Sequence, residues 1–162
     1  MCLDFGIPQV QAAGLLAAMG IFDFVGTIAS GWLSDRYDNR WLLFWYYGLR
    51  GLSLIYLPFS TFSLYGLSLF AMFYGLDWIA TVPPTVKLTA ATFGREKAGI
   101  VFGWIFAAHQ IGAATAAFGA GLSRSELQTY LPAFYTAGAA CLAAAVLVAL
   151  IRVARKPAPQ PA

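Results

Sequence analysis

Along this chain the apolar positions come in long unbroken runs instead of stripes or alternations. Five runs stand out, roughly at Val10 to Leu33, Trp41 to Leu57, Phe62 to Leu88, Gly99 to Gly121 and Leu131 to Val153. A helix rises ~1.5 Å per residue, so each run comes close to the ~20 residues that cross ~30 Å of hydrocarbon. The second is the shortest, and the third is long enough to tilt. None alternates as a barrel strand does, and glycine and alanine are plentiful inside them, as helix contacts in lipid prefer. The pattern predicts an all-α integral membrane bundle of five transmembrane helices, spanning about 10–33, 41–57, 62–88, 99–121 and 131–153.

The breaks between runs are short and carry turn signals. "GIPQ" puts Pro8 where a first helical turn tolerates it, "LPFSTFS" is an uncharged turn, and "FGREKAG" a compact charged one. Residues 1–154 read as one transmembrane domain, and the proline-rich end "KPAPQPA" makes 155–162 a disordered cytoplasmic tail. Composition agrees: 60% of the 162 residues are hydrophobic and 10% charged, with a mean hydropathy of +0.70. A soluble domain of this length carries far more charge.

Charge placement gives an orientation. Arg36 and Arg40 lie between spans one and two, Arg95 and Lys97 between three and four, and Arg152, Arg155 and Lys156 after five. The opposite loops hold Asp4, Arg124 and Glu126, so the basic side is expected to be cytoplasmic, with the amino terminus outside the cell membrane and the carboxyl terminus inside. Trp41, Trp45 and Tyr46 suit an aromatic belt there. The net charge of +3 follows from this asymmetry, and no nucleic-acid surface is needed to explain it. The first ten residues lack a basic leader region, so a preceding span is expected to deliver them outside.

Charges inside the spans need a reason, because one near the bilayer centre costs ~2.5–3.5 kcal/mol on insertion scales. Asp23 and Arg50 stand at similar distances from the first charged turn, "GWLSDRYDNR", which makes them a candidate ion pair; fixing helix packing and a functional role weigh equally there. Asp77 and His109 flank the turn "GREK" in the same way. Tyr74, Asp77, Thr81 and Thr85 share a helical face, and four ionisable groups at one depth point to a polar cavity able to pass a proton. Pro83 and Pro84 loosen the third span, a feature of transport hinges. Lys87 is expected to snorkel to the interface.

Other chemistries find little support. Cys2 and Cys141 have no metal-ligand spacing, and one histidine makes no multi-histidine site, so neither a metal nor another cofactor is implied. No phosphate loop or hydrolase serine motif occurs, and nothing around Ser30 and His109 marks an intramembrane catalytic pair. The chain does not read as an enzyme.

The turn "GWLSDRYDNR" resembles the cytoplasmic loop signature of the major facilitator superfamily: Gly, three residues, Asp, Arg, one residue, Gly and two basic residues. Gly31, Asp35, Arg36 and Arg40 fall on it, while Asp38 replaces the glycine and Asn39 one basic residue. "AAGLLAAMGIFDFVGTIASGWLSDR" looks like helix eight of a twelve-helix facilitator, and the next four spans like helices nine to twelve. Within the superfamily the first span is most like the monocarboxylate and oxalate–formate types, whose eighth helix carries an acid matched by Asp23. Thr27 stands where their arginine would follow.

The resemblance implies a partial carboxyl-terminal half of a secondary transporter, with a midplane site that faces each side in turn. Spans one, three and four would line the pathway, making Asp23, Asp77, His109 and Gln110 substrate or proton contacts, with Arg50 supporting an ion pair and Gly31, Asp35, Arg36 and Arg40 forming a gating loop. The implied substrate is a small organic anion, and the implied partners are the lipid bilayer and a missing amino-terminal half. The competing expectation is a remnant or partner subunit with no transport of its own, because alternating access needs two moving halves.

Overall fold

The computed structural model describes residues 7–59 and 63–151. The predicted tail at 155–162, the basic residues at 152, 155 and 156, and Asp4 and Cys2 lie outside them. Among the described residues every regular element is helical: α1 (Gln9–Ser34), α2 (Asn39–Tyr56) followed by a single 3₁₀ turn, α3 (Leu64–Asp77), α4 (Val82–Phe93), α5 (Arg95–Leu127) and α6 (Leu131–Ala149).

Local chemistry sets the helix ends. Helix α1 starts behind Pro8, whose carbonyl accepts the Ala12 amide, and closes as Arg36 N–H bonds back to Leu33. Asp38 caps α2 by accepting the Arg40 amide at 2.9 Å, and Ser63 caps α3 by accepting that of Gly66 at 3.1 Å. Gly94, at φ +82°, turns the chain into α5 with a conformation that a side chain rarely adopts.

Two boundaries differ from the sequence expectation. The third span is not continuous: residues Trp78 to Thr81 form a turn between α3 and α4, because Pro83 and Pro84 lack the amides that would continue the ladder. The "GREK" stretch is not a loop beyond Gly94. Arg95, Glu96 and Lys97 are good helix formers and make the first turn of α5, which runs 33 residues, with Glu96 favourably placed near its positive end.

Contacts fix the directions. Met19 meets Gly75, Gly26 meets Leu76 and Asp35 meets Lys87, so α1 runs parallel to the α3–α4 span. Gly51 meets Gly138 while Arg40 reaches Ile151, so α2 and α6 are antiparallel. Both crossings are backbone-close. A Cβ on Gly26 would run into the Leu76 backbone, and one on Gly51 would sit 2.9 Å from the Gly138 carbonyl. Helix α5 packs on α4 and, less, on α6.

The interior holds small and polar residues together with a few aliphatics, Leu43, Leu57 and Leu67 among them, whereas Trp104, Ile111 and Phe118 of α5 and Phe24 of α1 face outward. Four helical stretches are long and apolar enough to cross a membrane: Gln9–Ser34, Tyr65–Phe93, Arg95–Leu127 and Leu131–Ala149. Helix α2 has 18 residues, and Arg40, Arg50 and its tyrosines lower its hydropathy.

Candidate functional site

The polar groups of the spans converge on the break in the third span. On α1, Met19, Asp23, Gly26 and Ser30 follow at steps of four, three and four residues, one stripe along a helix. The glycines in and opposite this stripe let α1 and α3 touch, which brings the short Asp23 side chain to the break. Its Oδ1 accepts the Ile79 amide at 2.8 Å. One turn beyond Gly26, Ser30 Oγ donates to the Ala80 carbonyl at 2.5 Å, fully buried.

Arg50 approaches from α2. Its Nε lies 3.0 Å from Asp77 Oδ2, its Nη2 donates to the Trp78 carbonyl at 2.9 Å, and the same nitrogen donates to the Asp77 carbonyl. Tyr47 and Tyr74 present their rings to the guanidinium at 5.9 and 6.0 Å, adding weak cation–π attraction. Asp77 is buried, and its second oxygen, Oδ1, is shielded without a hydrogen-bond partner. A groove of about 730 Å³ runs from this pair between α2 and α3, lined by Tyr46, Ser53, Leu69, Phe73 and Tyr74 among others.

The pairing expected between Asp23 and Arg50 is therefore corrected: Arg50 takes Asp77, and Asp23 serves a backbone amide. Equal distance from a turn does not fix a partner, because rotation about the helix axes decides which charges meet. His109 and Gln110 stand outside the groove on the exposed side of α5, with the Phe106 ring 6.2 Å from the imidazole. The turn at Trp78–Thr81 also interrupts the helical face expected to join Tyr74 and Asp77 to Thr81 and Thr85. Among the described residues, no three His, Cys, Asp or Glu side chains gather as metal ligands would.

At the end of α1 the charged turn is organised by side chains. Lys87 Nζ sits 2.6 Å from Asp35 Oδ1 and 3.3 Å from the Gly31 carbonyl, so Lys87 is a partner of the signature turn instead of a free snorkelling charge. Arg36 lies over the Trp32 ring at 3.7 Å. Arg40 pairs with Asp38 at 2.6 Å and donates to the Ile151 carbonyl at 2.9 Å, tying α2 to the end of α6. The Arg40 guanidinium holds the Asp38 carboxyl below its usual range. Sequence reasoning missed Ser30 and the role of Lys87. The signal for each was present: Ser30 sits seven residues after Asp23, on the same face, and a lysine inside an apolar run needs a partner.

Apolar helices with large side chains outward and a charged clasp inside define a multi-pass helical membrane protein. The chain belongs to the Major Facilitator Superfamily, whose family model matches residues 2–162. It is similar to monocarboxylate transporter 12-B of Danio rerio, at 27% identity over 95% of this chain and 34% of that protein. Monocarboxylate transporter 13 of Bos taurus is 32% identical over 91% of this chain and 35% of its own length. An uncharacterized MFS-type transporter, YcxA of Bacillus subtilis, is 28% identical over 73% of this chain and 30% of its own. These are transporters by name, not enzymes. The chain spans about a third of the length of the curated relatives it matches. No solved structure gives a significant match.

Proposed function

We propose that this chain is part of a secondary active transporter of a small organic anion, such as a monocarboxylate, working by alternating access. The observation that carries this reading is the Arg50–Asp77 pair, buried at a break in a membrane span, with Asp77 Oδ1 free to accept a hydrogen bond. Broken helices supply binding groups at the midplane of many transporters, and an ionisable pair held there in lipid is costly unless it serves something. The relatives' names support the substrate class.

In this reading the chain supplies helices eight to twelve of a twelve-helix protein in the cell membrane, with the carboxyl terminus cytoplasmic. The share of the relatives that it matches, and the exposed side of α5 carrying His109 and Gln110, support a partner half. Asp23 and Asp77 lie on the proposed pathway at the break, His109 and Gln110 along α5, and Gly31, Asp35, Arg36 and Arg40 form the gating turn.

Uptake of radiolabelled lactate into vesicles tests the proposal, with this chain alone and with an amino-terminal half of seven helices co-expressed. Uptake only with both is expected. Uptake by this chain alone would overturn the two-half reading, and no uptake with both of any small organic anion would leave a partner subunit without transport.

A further inference from the structure

The break in the third span leaves a defined set of backbone groups without helical partners. Continuous i to i−4 bonding would give the Asp77 carbonyl the amide of Thr81, Trp78 that of Val82, Ile79 that of residue 83 and Ala80 that of residue 84. The last two donors do not exist, because residues 83 and 84 are prolines. In lipid there is little water to take their place.

The structure fills these vacancies almost one for one. The Val82 amide turns back to the Ile79 carbonyl at 2.9 Å, which leaves Trp78 open, and Arg50 Nη2 serves both Trp78 and Asp77. Ser30 Oγ takes the Ala80 carbonyl that Pro84 abandons. The Trp78 amide claims the Gly75 carbonyl at 3.1 Å, and the Ile79 amide, displaced from Gly75, finds Asp23 Oδ1.

We infer that Asp23, Ser30 and Arg50 are positioning residues that hold the α3–α4 break in one geometry by hydrogen-bonding its unpaired backbone groups from α1 and α2. What this asks of Asp23 is an acceptor oxygen in reach of Ile79 N–H, not a negative charge or a titrating proton. Displacement of α1 or α2 against the third span is then transmitted to the direction of α4, which carries Lys87 and its link to Asp35. The inference does not rest on the transport reading, since it concerns the chain without substrate.

Amide hydrogen exchange of the full chain in lipid nanodiscs, read in peptides covering 76–82, tests it. Asp23→Asn keeps an acceptor at the same place and is expected to exchange within about twofold of the parent, while Asp23→Leu and Ser30→Ala each speed exchange there by about tenfold or more, as loss of a buried hydrogen bond would. If Asp23→Asn behaves as Asp23→Leu does, the charge is required and the inference fails. If neither Asp23→Leu nor Ser30→Ala alters exchange at the break, the clasp does not hold it. Should Asp23→Leu not fold, Ser30→Ala, which adds no volume, decides the matter. Lactate uptake absent from the parent as well as from every variant, each with the amino-terminal half co-expressed and with exchange as expected, would count against the transport reading only.

Discussion

Gly26 of α1 lies directly against the backbone of Leu76 in α3, close enough that a side-chain carbon on Gly26 has no room. This contact sets how near α1 comes to the break, and so whether Asp23 and Ser30 reach it. Gly20, six residues earlier on the same helix, has nothing within 4 Å of where its Cβ would be. Gly26→Ala is therefore expected to destabilise by about 1–3 kcal/mol, the usual range for overpacking. Gly20→Ala should instead be neutral or slightly stabilising through helix propensity. Unfolding of the full chain by denaturing detergent in mixed micelles measures both, and equal effects would count against the close crossing.

The Arg50–Asp77 pair makes a second prediction. Both side chains are nearly buried, at 13% and 10% exposure, so removing one partner leaves an uncompensated charge or carbonyl groups without donors. Arg50→Met is expected to cost about 3–5 kcal/mol, as breaking a buried pair does. Asp77→Leu should also destabilise, but the double variant should lose less than the two single losses added together, because the charges then disappear together. A double-mutant cycle in micelles checks this. Strict additivity would mean that the two residues act independently.

The parts of this fold that were legible in the sequence are those set by one helix at a time. Run lengths in the apolar pattern gave five spans, and Pro83 and Pro84 marked the loosened stretch of the third. Partner choice depends on the rotation of one helix against another, which the hydrophobic pattern leaves open when lipid surrounds every face. Depth along the chain therefore suggests Asp23 as the partner of Arg50, although Arg50 turns towards Asp77. Lys87 lies near a span end, where a lone lysine suits the interface. Its partner, Asp35, is 52 residues away, and only the parallel packing of α1 on the third span brings them together.

That Lys87–Asp35 contact is more exposed than the inner pair, with the carboxylate side chain 74% accessible. Exposed pairs contribute little, so Asp35→Asn is expected to change unfolding stability by less than about 1 kcal/mol. In the transport reading its effect should fall on the rate at which the turn opens, not on folding. Accessibility of a cysteine placed at Thr92 to a water-soluble maleimide compares parent and variant. A loss of several kcal/mol would instead make Asp35 a folding element.

The turn also carries a pH dependence whose sign follows from Asp38. Its carboxyl is lowered from the ordinary 3.8 first by the hydrogen bond from the Arg40 guanidinium, which outweighs the opposing effect of burial, and further by the Arg40 amide and the Arg40 charge. A group with a lower value folded than unfolded adds stability that is present above the unfolded value and is lost as pH falls through the folded one. Asp38 is also the cap of α2, and Asp38→Ala is expected to cost about 0.5–2 kcal/mol at neutral pH. The gap between parent and Asp38→Ala should therefore hold between pH 7 and pH 5 and narrow below about pH 4. Asp38→Asn, which keeps a capping oxygen but no charge, should show a smaller gap from the parent at neutral pH, and one that narrows over the same range, because the titrating group is the parent's. Thermal unfolding of the three proteins across that range decides it, and a gap that widens on acidification would mean that the carboxylate is not held by Arg40 in the folded chain.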